Sequence, residues 1–388
     1  MNRKELAEIR NHFDPEAKYF TMERVLTAFV DTNRNVRGMT LRYATSVPGV
    51  ETRILYETMK KVMNLNLGKQ SSELPFREHA YGDDGIQTAL TALLASELKD
   101  EEMMQQFLTK LAETVDSDAP YAVLAAYCKY DTPKKNKMGD LDAEFSDQVF
   151  KYLVFALCPV KKKESMLIYN QFDDEILQFE DQNAVLSKAP SDGFLFPVFS
   201  DRATDVHHVM YYTKTPNEPN ENLVSSFLEC DAEPPVEADQ QGMKEVLGTL
   251  LGDTLTYETV TKVNEKLGEI VAKNKTDDAP TEVTGRILHR MLSEAGVSED
   301  KLVDTEKVFS EHVESTLKPE RLVAPKTVIK TPEIVVNVKN SAKDKVRLET
   351  VGGRRCMIIE LDEAVIEVNG YDLKVPDGTA QQDVPWDE

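Results

Sequence analysis

Gly193 to Lys214 read GFLFPVFSDRATDVHHVMYYTK, two apolar runs joined by a short polar stretch. Phe194 to Phe199 and Val206 to Thr213 carry the aromatic and branched residues that favour strands. Ser200 to Thr204 between them supply turn chemistry. The spacing predicts an antiparallel hairpin. No helical stretch separates its two arms, so the chain here cannot be building the βαβ units of a doubly wound sheet.

Working outward, the same type of segment recurs. Tyr121 to Tyr130, Gln148 to Cys158 and Ser165 to Tyr169 read as strands. Near the start, Met22, Leu26, Ala28 and Val30 fall at even spacing within Thr21 to Asp31. The cluster Thr32-Asn33-Arg34-Asn35 then turns the chain into a partner strand over Val36 to Ala44. Helices are expected over Arg3 to Phe13, Ser46 to Asn64, Ile86 to Leu98 and Glu101 to Val115. Strands and helices mix without strict alternation, which predicts an α+β domain over residues 1–219.

Beyond it the pattern turns helical. Glu221 to Glu229, Asp239 to Leu251, Thr256 to Lys273, Thr281 to Ala295 and Ser298 to Leu317 show helical periodicity. Residues 220–317 are therefore expected to form an all-helical subdomain. Residues 318–332, with Pro319, Pro325 and Pro332, read as a linker. Residues 333–375 alternate as a small antiparallel β unit, with tight turns at Gly352-Gly353 and Asn369-Gly370. The acidic tail 376–388 is expected to be disordered.

Composition bounds the function classes. The 388 residues are 41% hydrophobic and 29% charged, ordinary values for a globular chain. No apolar run reaches the ~18–20 residues needed to cross a bilayer. The opening residues form a charged amphipathic helix instead of a leader, so a cytoplasmic location without membrane contact is expected. Cys128, Cys158, Cys230 and Cys356 are scattered singly, which excludes a CxxC-based metal site. The net charge of −22 is uneven: residues 1–70 carry +4, residues 71–320 carry −24 and residues 321–375 carry +2. An acidic middle flanked by mildly basic ends raises three readings: solubility, a protein that mimics DNA, or contact with nucleic acid at the ends.

Phosphate loops, dinucleotide turns, nucleophile elbows, HExxH helices and EF-hand loops are all missing from the sequence. One dense polar cluster stands out: Asp201, Arg202, Asp205, His207 and His208. Such a set suits acid–base or metal chemistry. On a strand, however, His207 and His208 point to opposite faces and cannot share a site. The residues read first as a capped turn, with Arg202 paired to one of the aspartates and one histidine in the core. No metal or cofactor is expected. For nucleic acid, the candidates are Arg24, Arg34, Arg37 and Arg42 on the first hairpin. In the C-terminal unit they are Lys339, Lys343, Lys345, Arg347, Arg354 and Arg355.

Four stretches, MNRKELAEIRNHF at the start, ALCPV at Ala156 to Val160, the quoted Gly193 to Lys214 and Pro332 to Leu373, resemble a bacterial family of unknown function, number 4317, found mostly in Firmicutes. Its first strand often carries cysteines where this chain has Leu26, Thr27 and Ala28, which removes thiol chemistry there. No activity is established for the family, so no functional residue carries over. The order of helices from Glu221 to Leu317, followed by the β unit, is similar to the NdpA-type nucleoid-associated proteins. That resemblance implies DNA or a nucleoid protein as partner, and a homodimer. The sequence thus leads to a non-enzymatic binding or scaffold protein, with an enzyme site around Asp201–His208 as the rival.

Overall fold

The computed structural model of the chain describes residues 1–374 apart from 118, 136–140, 163–165, 171, 173, 180–183, 276, 278–279, 363–364 and 369. The disorder expected of the tail 376–388 lies outside the described residues.

The strands are β1 (Phe20–Val30), β2 (Val36–Tyr43), β3 (Ser71–Pro75), β4 (Tyr121–Lys135), β5 (Leu141–Lys162), β6 (Met166–Asn170), β7 (Glu175–Phe179), β8 (Ala184–Leu186), β9 (Asp192–Phe196), β10 (Val198–Ser200), β11 (Ala203–Asp205) and β12 (His208–Thr213). The main sheet runs β2-β1-β4-β5-β9-β12-β3, with β8 added beside β5. Every pairing in it is antiparallel. The α+β class follows directly.

Antiparallel sheets often leave one face to water. This one is covered on both, and the sequence shows why: residues 122–128 of β4 are all buried, so neither face is polar. On one side lie α3 (Ile86–Ala95) and α4 (Glu101–Thr114). Leu90, Leu93, Leu108 and Leu111 pack there against Val123, Phe155 and Phe194. Burying each such leucine contributes about 1.5–3 kcal/mol. Asp100 starts α4 by accepting the Met103 amide at 2.9 Å. On the other side lie α1 (Arg3–His12) and α2 (Gly49–Met59), whose Leu6, Ile9, Leu55 and Met59 meet Leu124, Val154 and Leu195.

The even spacing of Met22, Leu26, Ala28 and Val30 does not put them on one face. Pairing slips between Met22 and Arg24, where Met22 faces Cys128 but Arg24 faces Tyr127. This bulge moves Met22 into the α1 layer, while Leu26, Ala28 and Val30 stay in the α3 layer.

A π-helix over Asn222–Phe227 follows β12, and its Leu223, Val224 and Phe227 complete the α3–α4 core. The helical layer then comprises α5 (Val236–Leu251), α6 (Tyr257–Asn274), α7 (Gly285–Glu294), α8 (Glu299–Leu302) and α9 (Thr305–His312), with its own core around Val246, Leu267, Leu288 and Phe309. Thr256 and Thr284 cap α6 and α7 through the amides of Thr259 and Ile287. Within the stretch read as a linker, α10 (Pro319–Leu322) buries Arg321, and β13 (Lys326–Lys330) pairs with β14 (Val335–Lys339). The remaining strands β15 (Val346–Val351), β16 (Arg354–Ile359), β17 (Val365–Val368) and β18 (Tyr371–Lys374) form two further hairpins. Gly352 and Gly353 take positive φ at the first of these turns, as the sequence suggested. No helix among the described residues is long and apolar enough to cross a membrane.

Candidate functional site

The quoted stretch folds as a hairpin within a hairpin. β9 pairs with β12 at its base, and β10 pairs with β11 at its tip. Pro197, which has no amide hydrogen to give a ladder, separates β9 from β10. The turn is tighter than Ser200 to Thr204: Asp201 and Arg202 alone make it, both in left-handed conformation at φ 50° and 58°.

The tip is held by α1. Asn2 caps that helix through the Lys4 and Glu5 amides, and Glu5 returns the bond by accepting the Asn2 amide at 2.6 Å. The other oxygen of Glu5 accepts the Asp201 amide at 2.6 Å. Arg202 donates to both oxygens of Glu8, at 2.8 and 3.0 Å, so its carboxylate partner is on α1 and not within the turn. Helix cap and hairpin tip are therefore one unit.

The two histidines diverge, although only His208 lies on a strand: β12 begins there, and His207 sits in the bend before it. His207 is exposed, and its Nδ1 lies 3.1 Å from the Tyr81 hydroxyl on the α3 side. His208 is half-buried on the α1 side, with Nδ1 2.7 Å from Asp205 Oδ2. Neither is a core residue, which corrects the expected assignment. Asp205 accepts the His207 amide at 2.8 Å through its other oxygen. Burial raises its affinity for a proton, but that amide and the His208 ring outweigh it and hold the carboxyl below its usual value. Glu73 of β3 joins them, 3.9 Å from His208 Nδ1 through Oε1, while its Oε2 contacts the Met1 amino group. The sequence reading missed Glu73. Its strand is only five residues long and reads Ser-Ser-Glu-Leu-Pro, without clear alternation.

A cleft of about 580 Å³ opens between this end of the sheet and the helical layer. Arg3, Glu5, Asp201, Lys275 and Glu320 contribute charged groups to its walls. Lys69 lines it too, and burial lowers its proton affinity. Ser71, also in the wall, is fully buried, and its hydroxyl has no hydrogen-bond partner among the described residues. The far wall is fixed by Arg321, which donates to Gly68 O at 2.5 Å, Pro234 O at 2.9 Å and Asp239 Oδ2 at 2.8 Å, and also pairs with Glu233. Lys318 meets the same Glu233, and Ser72 donates to it at 2.8 Å.

The basic residues singled out for nucleic acid do not gather. Arg24 stacks over the Tyr43 ring at 4.1 Å. Directly opposed residues share a face, so the pairs Arg24–Tyr43 and Val25–Arg42 send Arg24 and Arg42 to opposite sides of the ribbon. Arg34 pairs with Asp116, Arg37 with Asp31 at 2.8 Å and Arg42 with Glu51. Lys343, Lys345 and Arg347 meet Glu265, Asp362 and Glu360. Lys339 ends β14, and Arg354 and Arg355 begin β16.

No curated protein matches the chain. A family model described as a domain of unknown function (DUF4317) matches residues 1–371, and the chain belongs to that family.

Proposed function

We propose that the chain is a non-enzymatic, cytoplasmic binding protein whose ligand occupies the cleft between the sheet and the helical layer. The charged groups of both signs that line the cleft carry this reading. The volume suits a small molecule, and interfaces between layers are favoured places for such sites. Cations at Arg3, Lys69 and Lys275 stand beside carboxylates at Glu5, Asp201 and Glu320, which favours a polar ligand bearing both signs of charge.

Two rival readings have less support. In the Asp201–His208 segment the Asp201 amide and the Arg202 guanidinium hold the hairpin to α1, and the two histidines diverge, so the five residues do not converge on one acid–base site. Contact with DNA requires free cations on one surface, whereas most of the candidate cations already face carboxylates.

Thermal unfolding in the presence of amino acids, dipeptides, nucleotides and sugar phosphates at millimolar concentration tests the reading. One class should raise the melting temperature of the wild type and leave Lys275→Glu unmoved. Shifts absent from every class, or equal in both proteins, would remove the cleft as a binding site.

A further inference from the structure

We propose that Glu73, Asp205 and His208 form a binding site for one divalent first-row transition metal. Their donor atoms, two carboxylate oxygens and an imidazole nitrogen, all lie within 4.8 Å of one another. The three side chains are half-buried, with 26%, 23% and 34% of their surface exposed. They are shielded enough to hold an ion and open enough to admit one.

The fold builds this arrangement from the backbone. β12 and β3 pair so that Met210 faces Glu73 and His208 faces Pro75. Residues 208 and 210 share a face, so Glu73 is the diagonal neighbour of His208 on the α1 side of the sheet. Asp205 closes the third side from the end of β11. Its orientation is fixed by the His207 amide on its other oxygen, the kind of outer bond that steadies a metal ligand. The present spacings of 2.7 and 3.9 Å from Nδ1 to the two carboxylates bracket the separation of ligands that share one ion at ~2.0–2.2 Å from each. Without an ion, the two carboxylates share one imidazole, and the Met1 amino group meets the other oxygen of Glu73. A divalent cation would neutralise both.

The donor set decides the class of metal. One nitrogen and two carboxylate oxygens suit Zn²⁺, Mn²⁺, Fe²⁺ or Co²⁺, with remaining positions left to water or a ligand, whereas Mg²⁺ prefers an all-oxygen shell. Only Glu73 of the three also lines the cleft, so the metal site stands whether or not the cleft takes a small molecule.

The test is isothermal titration calorimetry of the chelator-treated full chain with ZnCl₂ and MnCl₂, with MgCl₂ in parallel. The expected result is one saturable site for Zn²⁺ or Mn²⁺ and at least about tenfold weaker Mg²⁺ binding. Affinity should fall at least about tenfold in His208→Gln and in Glu73→Gln. His289→Gln, which removes a surface histidine 3.3 Å from Glu299, should bind as the wild type does. Thermal unfolding of each variant without metal confirms that it is folded, and either site variant alone suffices if the other is not. No saturable binding by the wild type, or unchanged affinity in a folded site variant, would overturn the assignment.

Discussion

Arg321 reaches from α10 to Asp239 on α5, Nη1 to Oδ2 at 2.8 Å, with only 5% and 10% of the two side chains exposed. The same guanidinium holds Gly68 of the sheet layer, so one side chain ties three parts of the chain together. Removing it would strand the buried Asp239 carboxylate and leave Glu233 with only Lys318 and Ser72 of the partners named. Burial alone would raise the proton affinity of Glu233, and Lys318 and Arg321 together reverse that and hold its carboxyl low.

Arg321→Met should therefore cost about 3–5 kcal/mol, as expected when one partner of a buried charge network is lost. Urea unfolding of the variant against the wild type measures it. A loss below about 1 kcal/mol would mean that the guanidinium is not the tie described.

Gly193 has no room for a methyl group. A Cβ there would stand 2.5 Å from the carbonyl oxygen of Phe155 and 2.6 Å from Val62 Cγ2. Because backbone is one of the obstacles, β9 or β5 would have to move. Gly193→Ala should destabilise by about 1–3 kcal/mol. A melting temperature equal to that of the wild type would contradict this packing.

Asp192 predicts a pH dependence. Burial pushes its carboxyl above the ordinary value of 3.8, and hydrogen bonds, including one from Tyr211 at 2.7 Å, bring it only partly back. Above 3.8 the native chain thus keeps a proton that the unfolded chain has released. Stability from this group is present at low pH and lost as pH rises through the raised native value. Asp192→Asn should remove that falling limb, so its stability relative to wild type should improve as pH climbs from about 4. Parallel curves from urea unfolding at several pH values would reject the assignment.

The thiols should separate sharply. Cys128, Cys158 and Cys230 are buried, and burial pushes the thiols of Cys158 and Cys230 up to about 12 and that of Cys128 well above its usual value. Cys356 is partly exposed on β16. A colorimetric thiol reagent should count one fast thiol in native protein and four in denaturant. More than one fast thiol in native protein would show that the sheet core is open.

The hairpin of Gly193 to Lys214 was legible because its two apolar runs and the turn residues between them agree. The divergence of His207 and His208 was expected from strand alternation, although His207 sits in the bend just before β12. What escaped the sequence has physical causes. The bulge after Met22 leaves no mark in the pattern, yet it changes which face every earlier residue takes. Glu73 stands more than a hundred residues before His208, on a strand whose two serines are buried by tertiary contact rather than by their own hydrophobicity. Arg321 looked like part of a linker because prolines surround it. Its burial depends on partners near residues 68 and 239.

The bond between Arg321 and Gly68 spans 253 residues of chain. At ~5–20 residues per second, a ribosome needs roughly 13 to 50 s to travel between them. Over that interval the nascent sheet layer has no guanidinium to receive, and from the moment they emerge the Glu233 and Asp239 carboxylates must stay hydrated. Synthesis of α10 then closes the assembly in a late locking step, so a stall or cut shortly before residue 321 would release a chain with its layers made and its fastening absent.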